Sequence, residues 1–166
     1  MRSPKRACRS SRCPTDPTAC AVKDTADPGR RASSCPQVAS HVGDHVDPEL
    51  VGEIGSLIGT EARRKGAHIV LGPTVNLHRT PVGGRTFECY SEDPELTGAL
   101  ASAYVRGVQS HYVAVTVKHF AANDTEIERM SVDVDVDDRT LRELYLRPFE
   151  RTVVEADAWG IMSAYN

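Results

Sequence analysis

The 166-residue sequence lacks several patterns that mark common functional classes. No apolar run approaches the ~20 residues that a membrane-spanning helix needs, so we expect no membrane segment. The phosphate-binding patterns G-x-G-x-x-G and the P-loop are absent, and so is the zinc-binding pattern H-E-x-x-H. The sequence therefore offers no evidence for a bound metal or another cofactor, and we expect neither.

Cysteine is nearly absent after residue 35, where Cys89 alone remains. The first 35 residues contain eight Lys/Arg against three Asp/Glu, no C-x-x-C pair and no apolar secretory core. For this segment a zinc site, a transit peptide, a disordered tail and a non-native start read in a wrong frame all stay open. We expect residues 1–40 to be irregular. The role of the cysteines there is open: Cys8, Cys13, Cys20 and Cys35.

Two features of the sequence concern its partners and its cellular location: the charge balance and the absence of a visible signal peptide. Residues 36–166 contain 12 Lys/Arg against 20 Asp/Glu, and this acidic balance argues against a nucleic-acid partner. The absence of a visible signal peptide favours a cytoplasmic location, with secretion open if the N-terminus is not native.

Helix-start signals recur at a regular spacing. The tetrapeptide DPEL occurs at residues 47–50 and 93–96, and a third start lies at Asp137 and Asp138. In each DPEL the aspartate can cap a helix whose first position is proline. The third helix should kink at Pro148. The predicted helices cover residues 48–65, residues 94–110 and a segment from 138 onward. Periodicity places these residues on the buried face of the first helix: Leu50, Ile54, Leu57, Ile58 and Ala62.

A short apolar run follows each predicted helix, at residues 67–73, 113–120 and 159–166. These runs are continuous rather than alternating, which is typical of strands buried on both faces. Helix followed by strand, three times over, predicts a parallel α/β sheet. Long segments at 73–92 and 119–137 follow the carboxyl ends of two strands, where parallel α/β folds place their sites.

These long segments contain the candidate site residues. Gly83 and Gly84 permit backbone conformations that would aim Arg85, with Glu88 as a plausible partner. Lys118 and His119 end the second strand; the ammonium can donate to ligand oxygens and the imidazole can donate or accept.

Several motifs, in order, resemble the N-terminal domain of family 3 glycoside hydrolases, in its β-glucosidase and β-xylosidase branch. They are RRKGAHIVLGPTVNLHRTPVGGRTFECYSEDPELTG, VKHFAANDTEIER, LRELYLRPFE and IMSAYN. The resemblance covers about residues 45–166. It implies that residues 41–166 form part of a (β/α)8 TIM-type barrel, with about three βα units present.

The resemblance also implies a function and a set of residues. The family cleaves O-glycosidic bonds with retention, by a nucleophilic carboxylate and a second carboxylate that acts as acid and base. Arg85, Lys118 and His119 would hold sugar hydroxyls, Arg129 would support them, and Met162 and Tyr165 would line the pocket. The family's nucleophile and acid/base belong to segments after the last motif matched here, so no catalytic residue is assigned.

We therefore expect the sugar-binding part of a retaining β-glycosidase acting on β-glucosides or β-xylosides, with no hydrolysis by these 166 residues alone. Two alternatives stay open: a non-catalytic carbohydrate-binding remnant, and half of a split enzyme whose partner is the remainder of the barrel.

Overall fold

All three predicted helix starts form in the computed structural model, which describes residues 47–166. The side chain of Asp47 accepts hydrogen bonds from the first turn of α1 (Pro48–Arg64), and Asp93 does the same for α2 (Pro94–Gln109). A proline occupies the first turn of both helices, where its missing N–H leaves no hydrogen bond unmade. The predictions for residues 1–40, and for the cysteines in them, fall outside the described residues.

The third helix begins after Asp137, as the sequence predicts, and its geometry changes before Pro148, the residue where a kink is predicted. Asp137 caps α3 (Asp138–Thr140), which continues into a π-helical turn (Leu141–Tyr145) and then into α4 (Arg147–Ala156). At the junction, the Leu146 N–H donates to the Leu141 carbonyl at 2.9 Å, five residues back. Pro148 has no N–H for the ordinary α-helical bond, so the widened turn absorbs the irregularity.

The strands are shorter than predicted. They are β1 (Ile69–Val70), β2 (Ala114–Val115), β3 (Val117–Phe120) and β4 (Ile161–Ser163). β1 pairs with β2 and β3 pairs with β4, and both pairs are parallel. A further parallel bridge joins Thr74 to Lys118. This is the α/β arrangement of a partial TIM-type barrel.

The expectation that the strands are buried on both faces is wrong for β1 and β4. Ile69 is 45% exposed and Ile161 is 44% exposed, whereas the first three residues of β3 are buried. Among the described residues β4 pairs on one side only, with β3, so one edge of that strand is uncovered.

The predicted buried face of α1 is partly wrong, because α1 packs closely against α2 through its glycines. Leu57 is 52% exposed, and the buried side consists of Val51, Gly55, Ile58, Gly59 and Ala62. A Cβ on Gly55 would lie 2.6 Å from the Tyr104 carbonyl oxygen of α2. Hydrophobic periodicity does not count glycine as buried, and here the glycines let the two backbones meet. Within residues 47–166 no helix has both the length and the apolarity needed to cross a membrane.

Candidate functional site

The site begins where two parallel backbone segments lie side by side. The Val75 N–H donates to the Lys118 carbonyl at 2.8 Å, and the Lys118 N–H donates to the Pro73 carbonyl at 3.0 Å. The peptide bonds Gly72–Pro73, Lys118–His119 and Phe120–Ala121 are cis. This register brings Asn76, at the end of one segment, against His119, at the end of the other.

His119 is held on both sides of its ring. Asn76 makes hydrogen bonds to its backbone and to Nδ1, and Arg85 Nη1 lies 3.0 Å from Nε2. The residue is 8% exposed. Burial, reinforced by the positive charges of Arg85, Lys118 and Arg129, lowers the pKa of His119 from 6.5 to about 3. The imidazole is therefore neutral near pH 7.

Glu88 contacts two of the cations that the sequence singles out, Arg85 and Lys118. It lies on a short 3₁₀ turn (Thr86–Glu88) and is 4% exposed. One carboxylate oxygen pairs with Arg85 Nη2, and the other lies 3.5 Å from Lys118 Nζ. Lys118 itself is 1% exposed. A buried carboxylate between a guanidinium and an ammonium attracts both cations and offsets part of their positive charge, which would otherwise be very costly to bury.

Arg129 and Tyr165 join the same cluster through Glu126. One Glu126 oxygen lies 2.8 Å from Arg129 Nη1, and the other lies 3.7 Å from Arg85 Nη1. The Arg129 guanidinium stacks over the Tyr165 ring, 5.5 Å from its centroid. Met162 lies on β4 in register with Lys118. All six residues that the sequence singles out thus lie in one connected region.

Two further ionisable groups near this region, Cys89 and Asp124, have pKa values that burial shifts. Burial, followed by the nearby carboxylates of Glu88 and Asp124, raises the pKa of the Cys89 thiol from 9.0 to about 12. Burial also raises the pKa of Asp124, although the Tyr145 hydroxyl partly opposes the rise. Tyr145 in turn accepts a hydrogen bond from Arg79 at 2.8 Å. These contacts tie the segment after Asn76, the segment after His119 and the π-helical turn together.

Sequence reasoning missed Asn76, the residue that makes the most contacts with His119. Its one signal is a polar side chain within an otherwise apolar run, two residues past Thr74. Glu126 has no distinguishing signal in the sequence, because other carboxylates lie nearby in the same segment, and only the fold shows that it links Arg85 to Arg129.

The arrangement suits binding of a hydroxylated ligand better than acid–base chemistry. Arg85 and Arg129 retain accessible guanidinium surface, with side chains 23% and 41% exposed. Glu88 and Glu126 are paired with cations, so they act as counter-ions here. The region therefore presents fixed hydrogen-bond donors around one neutral imidazole.

Comparison with known proteins agrees with this geometry. The model of the glycosyl hydrolase family 3 N-terminal domain matches residues 26–166. A β-glucosidase of Rhizobium radiobacter is 54% identical over 134 residues, which are 81% of this chain and 16% of that protein.

Solved structures give the same result. β-Glucosidase 3B from Thermotoga neapolitana, in complex with α-D-glucose, superposes with a TM-score of 0.77 at 47% identity, over 78% of this chain and 18% of that one. The β-glucosidase from Kluyveromyces marxianus, in complex with glucose, gives a TM-score of 0.77 at 43% identity, over 78% and 16%. The chain thus spans less than a fifth of the length of these relatives, and it belongs to glycosyl hydrolase family 3, with its matched residues in the N-terminal domain.

Proposed function

We propose that the chain is the sugar-binding part of a retaining β-glucosidase, which holds a terminal glucose unit beside the bond to be cleaved. The observation that carries this proposal is the cluster of Arg85, His119, Lys118 and Glu88 at the carboxyl ends of parallel strands. The names of the relatives, and the glucose bound in two of the superposed structures, support glucose as the sugar.

Each of the six residues has a part in this proposal. Arg85 and His119 contact hydroxyls directly. Lys118 is buried beside Glu88, which holds its ammonium next to Arg85 and His119. Arg129 and Tyr165 close one side, and Met162 adds apolar surface. Donors fixed by buried counter-ions accelerate a reaction by positioning the sugar, and most strongly where their contacts tighten at the transition state.

The first test measures glucose binding to the whole 166-residue chain by titration calorimetry. Arg85→Lys keeps the charge but removes the fork of donors, and should weaken binding about tenfold or more, the loss of one to two good hydrogen bonds. Arg139→Lys is the matched control, since the Arg139 side chain is 82% exposed and pairs with Glu143 at the surface. Equal affinities for both variants would contradict the proposal.

The second test measures turnover of an aryl β-glucoside. Binding without turnover by this chain is expected, because Glu88 and Glu126 are engaged as counter-ions. Turnover that appears when the remaining segments of the barrel are supplied as a separate polypeptide would identify a split enzyme. Efficient turnover by the chain alone would overturn the assignment of a purely sugar-binding role.

A further inference from the structure

The contacts between Asn76 and His119 fix the direction of every hydrogen bond in the pair. The His119 backbone N–H lies 2.9 Å from Asn76 Oδ1, and Asn76 Nδ2 lies 3.1 Å from the His119 carbonyl oxygen. A backbone N–H can only donate and a carbonyl can only accept, so the orientation of the Asn76 amide is determined. Asn76 is 4% exposed, so water offers little competition.

The orientation of the amide then determines the state of the imidazole ring. His119 Nδ1 lies 3.1 Å from the same Asn76 Oδ1, and an amide oxygen only accepts, so Nδ1 carries the proton. On the other side of the ring, Arg85 Nη1 lies 3.0 Å from Nε2. A guanidinium only donates, so Nε2 presents its lone pair. Two independent contacts give the same tautomer.

The electrostatic surroundings agree with a ring that carries one proton. Arg85, Lys118 and Arg129 are the cations that act on the imidazole, and with burial they disfavour a second proton. Glu126 lies 3.7 Å from Arg85 Nη1, the same nitrogen that faces His119 Nε2. Protonation of Nε2 would aim an N–H at the Arg85 guanidinium, which has no acceptor to offer.

We propose that Asn76 is a positioning residue that holds His119 as the Nδ1–H tautomer, so that Nε2 accepts a hydrogen bond from a hydroxyl of the sugar. The tautomer stands on the geometry alone, whereas the sugar contact rests on the function proposed above. The hydroxyl enters between Arg85 and His119, accepts from the guanidinium and donates to Nε2. A hydroxyl can do both, and a fluorine or an ether oxygen can only accept. The imidazole thus selects for a free hydroxyl at one position of the sugar.

The tautomer is measured first, on the sugar-free chain, by long-range ¹H–¹⁵N correlation spectra of the six histidines. The signals lost in His119→Gln identify His119. We expect Nδ1 to be protonated and Nε2 to be unprotonated at neutral pH. An Nε2–H ring, or a rapidly exchanging mixture of the two tautomers, would overturn the proposal.

Variants then test whether Asn76 is responsible. Asn76→Ala should convert the single tautomer into a mixture. Asn166→Ala is the matched control, because Asn166 also donates its amide to backbone carbonyls, those of Ala121 and Ala122, without touching the ring. A single unchanged tautomer in Asn76→Ala would refute the role of Asn76.

If Asn76→Ala does not fold, Asn76→Asp carries the test, because it keeps the shape and the acceptor. A carboxylate beside Nδ1–H favours the imidazolium, so the titration midpoint of His119 should rise above that of the unmodified chain. A midpoint equal to that of the unmodified chain would show that residue 76 does not act on the ring, and would refute the role of Asn76.

The sugar contact is tested with glucose and with analogues that carry fluorine in place of one hydroxyl at a time. One analogue should bind roughly fivefold to tenfold more weakly than glucose, the loss of one ordinary hydrogen bond, and the difference should vanish in His119→Ala. Glucose binding with no such difference would overturn the acceptor role. A chain that shows the expected tautomer but binds no glucose would contradict the proposed function and leave the role of Asn76 intact.

Discussion

The ammonium of Lys118 lies 3.5 Å from a carboxylate oxygen of Glu88, and both residues are almost completely buried. Because the other oxygen of Glu88 pairs with Arg85, one carboxylate contacts two cations whose positions in the sequence are 33 residues apart. Glu88 is therefore central to the stability of the candidate site.

Neutralising Glu88 should be strongly destabilising. Glu88→Gln leaves buried positive charge uncompensated, and removal of one partner from a buried ion pair costs about 3–5 kcal/mol. Glu150→Gln is the control, since the Glu150 side chain is 60% exposed and pairs with Arg147 at the surface; it should cost below about 1 kcal/mol. Urea denaturation of both variants checks this, and similar losses would contradict the buried pair.

Acid should weaken the fold through His119. Its pKa is about 3 in the folded chain against 6.5 ordinarily, so the unfolded state takes up the proton first as the pH falls. Stability contributed by the neutral ring is therefore lost progressively from about pH 6.5 down to about pH 3. Glutamine does not titrate, so the melting temperature of His119→Gln should fall less across this pH range than that of the unmodified chain. Equal losses would show that His119 is accessible to protons in the folded state.

Substitution by alanine should affect stability differently at two glycines of α1, because one of them lies much closer to the backbone of α2. Gly55→Ala would place a Cβ 2.6 Å from the Tyr104 carbonyl oxygen, a backbone atom that cannot move aside, and should cost about 1–3 kcal/mol. Gly52→Ala meets only the Ala103 carbonyl oxygen at 3.7 Å, and should be neutral or stabilising by up to about 1 kcal/mol, because alanine favours helix. Thermal melts of the two variants check the ordering, and a reversed order would refute the close helix contact.

The thiol of Cys89 should be unreactive in the folded chain. It is 4% exposed and its pKa is raised from 9.0 to about 12, so the thiolate fraction near pH 8 falls by roughly a thousandfold. Alkylation with iodoacetamide followed by peptide mass spectrometry should leave Cys89 unmodified in buffer and modified in denaturant. Rapid modification of Cys89 in buffer would show that the segment around Glu88 opens readily.

Local chemistry determined most of the secondary structure of this protein. Asp47, Asp93 and Asp137 each accept hydrogen bonds from backbone N–H groups no more than three residues ahead, and such contacts can be predicted from the sequence alone. The apolar runs between these helices predict the order of helices and strands, and they place Lys118 and His119 towards the carboxyl end of a strand. The family motifs, which are also local in sequence, indicated the same residues.

Tertiary structure alone decided which side chains meet. Asn76 and His119 are 43 residues apart, and they are paired by the register between the segment at Thr74 and β3. The burial of Lys118 against Glu88 and the exposure of Leu57 likewise depend on how the elements pack. Caps and turns are set by neighbours along the chain, whereas the state of His119 is set by groups that only the parallel strands bring together.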